Sequence, residues 1–191
     1  MNKNILQLTF TCLLIALLLG SCTKKEDVLN KPGKYYIKFK ANGVEKKLDM
    51  IPSSITSFYS SALYESLGYH IYEFGMASAQ FKELMHIGIF TPSALAKKTY
   101  TDNSGGLLPE ALLTYSQAPL DGSVYFSSMA YDDGGFQLKK DCKITITEMN
   151  DTEIQGTFSG TVYFEKDDGD PDRNKAVTIT DGSFYVQADL Q

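Results

Sequence analysis

Asp168, Asp170 and Asp172 stand at i, i+2 and i+4 in the run Asp168-Gly169-Asp170-Pro171-Asp172-Arg173-Asn174, the spacing at which alternate carboxylates can converge on a hard cation such as calcium. Two further positions would have to cooperate. Where such a loop turns sharply on Gly this chain has Arg173, and where a bidentate Glu would close the site it has Ile179. We therefore read a solvated acidic tip, its three carboxylates pointing apart, with no metal and no other cofactor. Cys142 lies in Cys142-Lys143-Ile144-Thr145-Ile146, where period-2 alternation puts it on one face with two Ile. It reads as a small buried hydrophobe, since a nucleophilic thiol needs a base and access. His70 and His86 fall in separate strand patterns with no Cys, Asp or Glu at ligand spacing, whereas zinc needs three or four convergent ligands.

No Gly-x-Ser-x-Gly, phosphate loop, dinucleotide fingerprint or His-Glu-x-x-His occurs. Paired carboxylates for glycoside hydrolysis are decided by separation in space, so a small polysaccharide-active hydrolase stays open as a rival reading. The aromatic complement is Tyr and Phe with no Trp. Tyr36, Tyr163 and Tyr185 fall at outward positions of their strand patterns, and a Tyr ring can stack on a sugar or anchor a protein partner. These three are the candidate binding residues.

The elements that must position them begin after an export signal. One charge, Lys3, precedes an apolar run from Ile5 to Leu19 broken only by Gln7, Thr9 and Thr11. That run is shorter than the ~20 residues a membrane span needs, and it ends in the small residues of a processed signal peptide. Leu18-Leu19-Gly20-Ser21-Cys22 resembles the lipobox of bacterial lipoproteins. The resemblance implies diacylglycerol on the Cys22 sulfur, cleavage of the Ser21–Cys22 bond and acylation of the new amine. Two or three acyl chains suffice for stable anchoring, at about 0.8 kcal/mol per buried CH₂. Lys25-Glu26-Asp27 resembles the Lys-acidic-acidic signal that sends lipoproteins of Bacteroidota to the outer face of the outer membrane, and so implies a domain facing the cell exterior.

Residues 1–21 are thus read as signal peptide, 22–33 as lipidated Cys and flexible tether ending in Pro32-Gly33, and 34–191 as one β domain. Loss of Lys3 with the signal takes the net charge from −5 to −6, which argues against nucleic acid as a partner. Cys12 leaves with the signal and Cys22 carries lipid, so Cys142 has no disulfide partner.

Asn42-Gly43 predicts a two-residue hairpin that pairs Ala41 with Val44, Ile37 with Leu48 and Tyr35 with Met50. Lys46 then lies opposite Phe39 and must snorkel. Tyr69–Ala77 and Glu83–Phe90 read as strands, the first with His70, Tyr72, Phe74 and Met76 on one face, the second with Met85, Ile87 and Ile89 opposite His86. Ile55–Leu63 fits a strand and Ala62–Leu67 equally fits a helical turn, and the pattern does not choose between them. Thr91-Pro92-Ser93-Ala94-Leu95-Ala96 predicts one helical turn. Ala111–Tyr115, Ser123–Met129 and Gln137–Met149 are further strand candidates. From Ile154 to Phe164 the even positions are apolar or Gly and the odd ones polar, which predicts one core face and one wet face. Lys166–Lys175 is read as the loop that follows. The last stretch changes apolar parity at Asp181-Gly182, which predicts a bulge in one long strand, with Gly182 at positive φ. The class is all-β, an antiparallel two-sheet sandwich or flattened barrel.

The segments Ile144-Thr145-Ile146-Thr147-Glu148, Gly156-Thr157-Phe158-Ser159-Gly160 and Val177 to Phe184 resemble the C-terminal half of small β-sandwich lipoproteins of Bacteroidota. That resemblance implies fold and localisation and carries no catalytic residues. The sequence-based expectation is a non-catalytic outer-membrane lipoprotein, held to the membrane through Cys22 and binding a glycan or a protein partner. A hydrolase and a structural accessory subunit of an envelope complex are the rivals.

Overall fold

In the computed structural model of the chain, which describes residues 33–50, 57–64, 68–102, 110–117, 124–126, 139–165 and 171–188, Asn42 and Gly43 take φ of 48° and 80°. Two positive φ values in succession make the turn whose twist matches that of the flanking strands. It folds β1 (Tyr36–Ala41) onto β2 (Val44–Asp49) in the expected register, Ile37 against Leu48 and Ala41 against Val44. The described residues all belong to the unit Pro32–Gln191. Cys22 lies outside them.

Among the described residues nine further strands follow: β3 (Ser57–Tyr64), β4 (Tyr69–Ala77), β5 (Glu83–Thr91), β6 (Thr99–Thr101), β7 (Ala111–Gln117), β8 (Val124–Phe126), β9 (Lys143–Asn150), β10 (Glu153–Glu165) and β11 (Pro171–Gln187). All pairings are antiparallel. The hydrogen-bonded order is β2-β1-β11-β10-β8-β7-β5-β4-β3, with β9 on β10 and β6 on β9. Two layers arise because β10 serves both: Glu153–Ser159 pair with β9, whereas Tyr163 and Phe164 pair with β8. The chain is therefore a β-sandwich made from one continuous sheet folded over. It does not close into a barrel, since β2 and β3 end the order without pairing each other.

The inner faces meet through aromatics. Phe39 on β1 packs edge-on to Tyr115 on β7 with centroids 5.3 Å apart, and Phe74 on β4 meets Phe184 on β11 at 5.0 Å. Such pairs add about 0.5–1.5 kcal/mol each to the burial of their surfaces. Cys142, Ile144 and Ile146 are all buried beneath them, as the alternation at the start of β9 predicts.

β11 runs straight through Asp181-Gly182 with a bulge. Phe158 pairs with Gly182 and Gly160 with Ile179, while on the other side Lys38 pairs with Ser183 and Lys40 with Thr180. The positive φ expected of Gly182 is carried by Asp181, at 52°. Gly182 is needed for space instead, because a Cβ there would lie 2.4 Å from the Phe158 carbonyl oxygen.

Other expectations are corrected. Residues 92–96 form no helical turn; the Leu95 N–H donates to the Tyr72 hydroxyl at 3.1 Å and the Ala96 N–H to the Tyr100 hydroxyl at 2.8 Å. Two buried phenols thus satisfy backbone groups that a helix would have paired internally, and β6 follows directly. The helical turn among the described residues is a 3-10 turn at Ala79–Phe81. Of the stretch open to both strand and helix, Ser57–Tyr64 form β3, and the rest lies outside the described residues. The loop after β10 is shorter than expected, because β11 already begins at Pro171. The wet face of β10 fails at its far end, where Thr161 and Tyr163 are buried.

Candidate functional site

The outer face of the layer formed by β2, β1, β11, β10 and β9 carries a continuous polar surface. Ile37, Phe184 and Ile154 point to the core, so their neighbours Tyr36, Tyr185 and Gln155 point away from it. Tyr36 and Tyr185 are direct cross-strand partners, and the row continues through Gln155 to Glu148 on one side and Asp49 on the other. Directly opposed residues bring their Cβ atoms to about 5 Å, so two phenol side chains stand side by side. Both are half-buried. The adjacent row reads Lys47, Lys38, Ser183, Thr157, Thr145, Thr99. The last two hydroxyls lie 2.9 Å apart on the exposed face, and the Lys38 ammonium sits 5.6 Å from the Tyr36 ring centroid.

Tyr185 is held in place from the strand end. Its hydroxyl donates to Glu153 Oε2 at 2.6 Å, the Tyr35 hydroxyl donates to Oε1 at 2.9 Å, and Lys34 completes an ion pair with Oε1. The Tyr35 ring meets that of Tyr185 edge-on at 5.2 Å. The Lys34 ammonium first and the Tyr185 hydroxyl next hold the Glu153 carboxyl down at about 2. Burial and the neighbouring carboxylate push the Tyr185 phenol up, so it remains a donor. A ring fixed before the ligand arrives loses little rotamer freedom on binding.

Tyr163 is not part of this surface. It sits where β10 has crossed into the second layer, in one row with Phe126, Thr114, His86 and Gly75. That layer's outer side is itself covered: Thr161, Thr114 and Ser116 are buried, and the Tyr163 hydroxyl accepts from the Lys139 N–H at 3.2 Å. The run Ala111-Leu112-Leu113-Thr114-Tyr115-Ser116, apolar or small at both parities, was the signal for burial on two sides.

The second layer also brings together a pair that sequence spacing missed. His86 Nε2 on β5 lies 3.3 Å from Glu73 Oε1 on β4. Burial lowers the His86 pKa and outweighs the opposing carboxylate.

Two acids, Asp102 and Asp141, lie where the charge of the second is felt by the first. Asp102 Oδ2 accepts from the Cys142 N–H at 3.1 Å, while Asp141 accepts from the Thr161 N–H at 2.7 Å and the Thr161 hydroxyl at 2.9 Å. Both acids thus serve as acceptors for backbone groups at the sheet margin. Burial, helped by the Asp141 charge, pushes the Asp102 carboxyl up against the Cys142 N–H.

Asp168 and Asp170 lie outside the described residues. Asp172 stands in β11 opposite Phe164, its Oδ1 accepts from the Asn174 N–H at 3.0 Å, and Lys175 lies 3.7 Å from Oδ2. Among the described residues no three His, Cys, Asp or Glu side chains converge as metal ligands.

Set against known proteins, the chain matches no family model, no curated protein and no solved structure. The site therefore has to be read from its own chemistry.

Proposed function

We propose that the chain is a non-catalytic, lipid-anchored module of the outer membrane, displayed to the cell exterior, that binds glycan on the outer face of β1, β11, β10 and β9. The observation that carries this reading is the direct pairing of Tyr36 with Tyr185 across β1 and β11, in a row that ends in amide and carboxylate side chains. Pyranose rings present one apolar and one hydroxylated aspect, and a phenol flanked by Gln155 and Thr157 meets both. The lipobox at Cys22 and the Lys25-Glu26-Asp27 run support anchoring and outward display.

The test is a glycan array probed with the full-length protein in detergent, beside its Tyr36→Ala variant. Retention of at least one glycan class, weakened tenfold or more by the substitution, supports the reading; a tenfold loss corresponds to about 1.4 kcal/mol. Absence of any glycan binding overturns it. Anchoring and display are tested separately: Cys22→Ala should release the protein from the membrane fraction, and protease added to intact cells should remove the domain.

A further inference from the structure

We propose that the glycan bound on this face is acidic, a polysaccharide carrying uronate or sulfate groups, and that Lys38 and Lys143 are the cations that select it; this rests on the glycan-binding reading above. The carboxylates on the face are largely engaged. Asp49 is held by Lys47 at 2.8 Å, Asp181 by Lys40 at 2.9 Å, Glu148 by Lys97 at 2.7 Å, and Glu153 by Lys34. Lys38 and Lys143 are exposed and have no carboxylate in ion-pair reach among the described residues.

Lys38 is also set directly opposite Lys47 in the first hairpin. Like charges opposed across a strand pair are destabilising. Asp49 already answers the Lys47 charge, so an anionic group seated beside Lys38 supplies the counter-charge that Lys38 lacks among the described residues and eases what repulsion remains, which a neutral sugar does not. Lys143 stands three strands away, on β9 opposite Ser159 of β10. Three strand spacings of about 4.8 Å put it ~14 Å across the face, beyond the reach of a single sugar ring.

Between the two cations lie the hydroxyls of the exposed Thr157 and the half-buried Thr145. A chain crossing the strands meets ring, hydroxyls and both ammoniums in turn. The mature protein itself carries a net negative charge, so it repels polyanions in general. Attraction of an acidic chain then requires a local arrangement such as this one.

The experiment compares retention of the full-length protein in detergent on immobilised polygalacturonate, dextran sulfate and neutral dextran, with melting temperature recorded for every variant. Expected is retention on an acidic matrix at least tenfold stronger than on neutral dextran, weakened tenfold or more by Lys38→Ala with Lys143→Ala, and unaffected by Lys175→Ala away from the face. Polygalacturonate against dextran sulfate tells uronate from sulfate. Acidic retention that survives the double substitution, or neutral retention as strong as acidic, overturns the acidic assignment and leaves glycan binding standing. Failure on all three matrices and on the glycan array removes both.

Discussion

Lys46, opposite Phe39 on the inner face of the first hairpin, ends with its Nζ 2.5 Å from Glu83 Oε1 at the start of β5. The same Glu83 oxygen accepts from the buried Tyr115 hydroxyl at 2.8 Å. The snorkelling forced on Lys46 by its register thus becomes a bolt between the two layers near their unpaired edge.

Both side chains of that bolt are more than three-quarters buried, at 23% and 22% exposure, so solvent screens it less than a surface pair. Glu83→Ala removes the acceptor of both Lys46 and Tyr115 and should cost about 2–3 kcal/mol. Lys46→Met keeps the apolar stem and should cost about 1 kcal/mol or less. Urea denaturation midpoints check the order, and equal losses would show that the Tyr115 bond contributes little.

Stability should respond to pH in opposite senses at two carboxyls. Glu153 has a folded pKa lowered from 4.5 to about 2, so its contribution is complete above the unfolded value and is lost as pH falls through that window. Glu153→Gln should therefore melt lower than the parent at pH 7, and the gap should close near pH 2. Asp102 has its folded pKa raised, so it favours the folded state as pH falls and penalises it at neutrality. Asp102→Asn should raise the melting temperature at pH 7, with the gain shrinking in acid.

The bulge in β11 separates a conformational role from a spatial one. Gly182→Ala drives a methyl group into the Phe158 carbonyl and should cost about 1–3 kcal/mol. Asp181→Gly relaxes a positive φ and gives up only an exposed contact to Lys40, so its effect should stay within about 1 kcal/mol. Chemical denaturation of the two variants checks the contrast, and a larger loss from Asp181→Gly would reverse the assignment.

The Cys142 thiol is fully buried. In a Cys12→Ala, Cys22→Ala background, where it is the remaining thiol, it should resist thiol reagents in the native protein and react at once on denaturation. Fast labelling of the native state would mean that the start of β9 opens readily.

Much of the layered core was legible from alternation, and the reason is local: period-2 patterning assigns Ile37, Phe74, Ile144 and Phe184 to a face without reference to their partners. The first hairpin was legible because Asn-Gly dictates both turn conformation and register. What escaped depends on sheet order. His86 meets Glu73, and Asp102 meets Cys142, only because particular strands lie side by side, and no spacing along the chain encodes that. Tyr36 and Tyr185 were singled out separately, but that they stand opposite each other follows from β11 pairing with β1. Tyr163 had the right parity and the wrong surroundings, since parity says which way a residue points and not whether something lies over it.

The clasp of Lys34, Tyr35 and Tyr185 on Glu153 has a mechanical consequence. It ties the residues immediately before β1 to β11 and β10, and β1 and β11 carry the two tyrosines of the candidate binding face. In the proposed anchored and glycan-bound state, tension would run along β1 and into β11, spread over hydrogen bonds loaded side by side. The contact between the two layers lies off that line of force, so a pull of this kind tests two strands and one clasp while the aromatic interior stays unloaded.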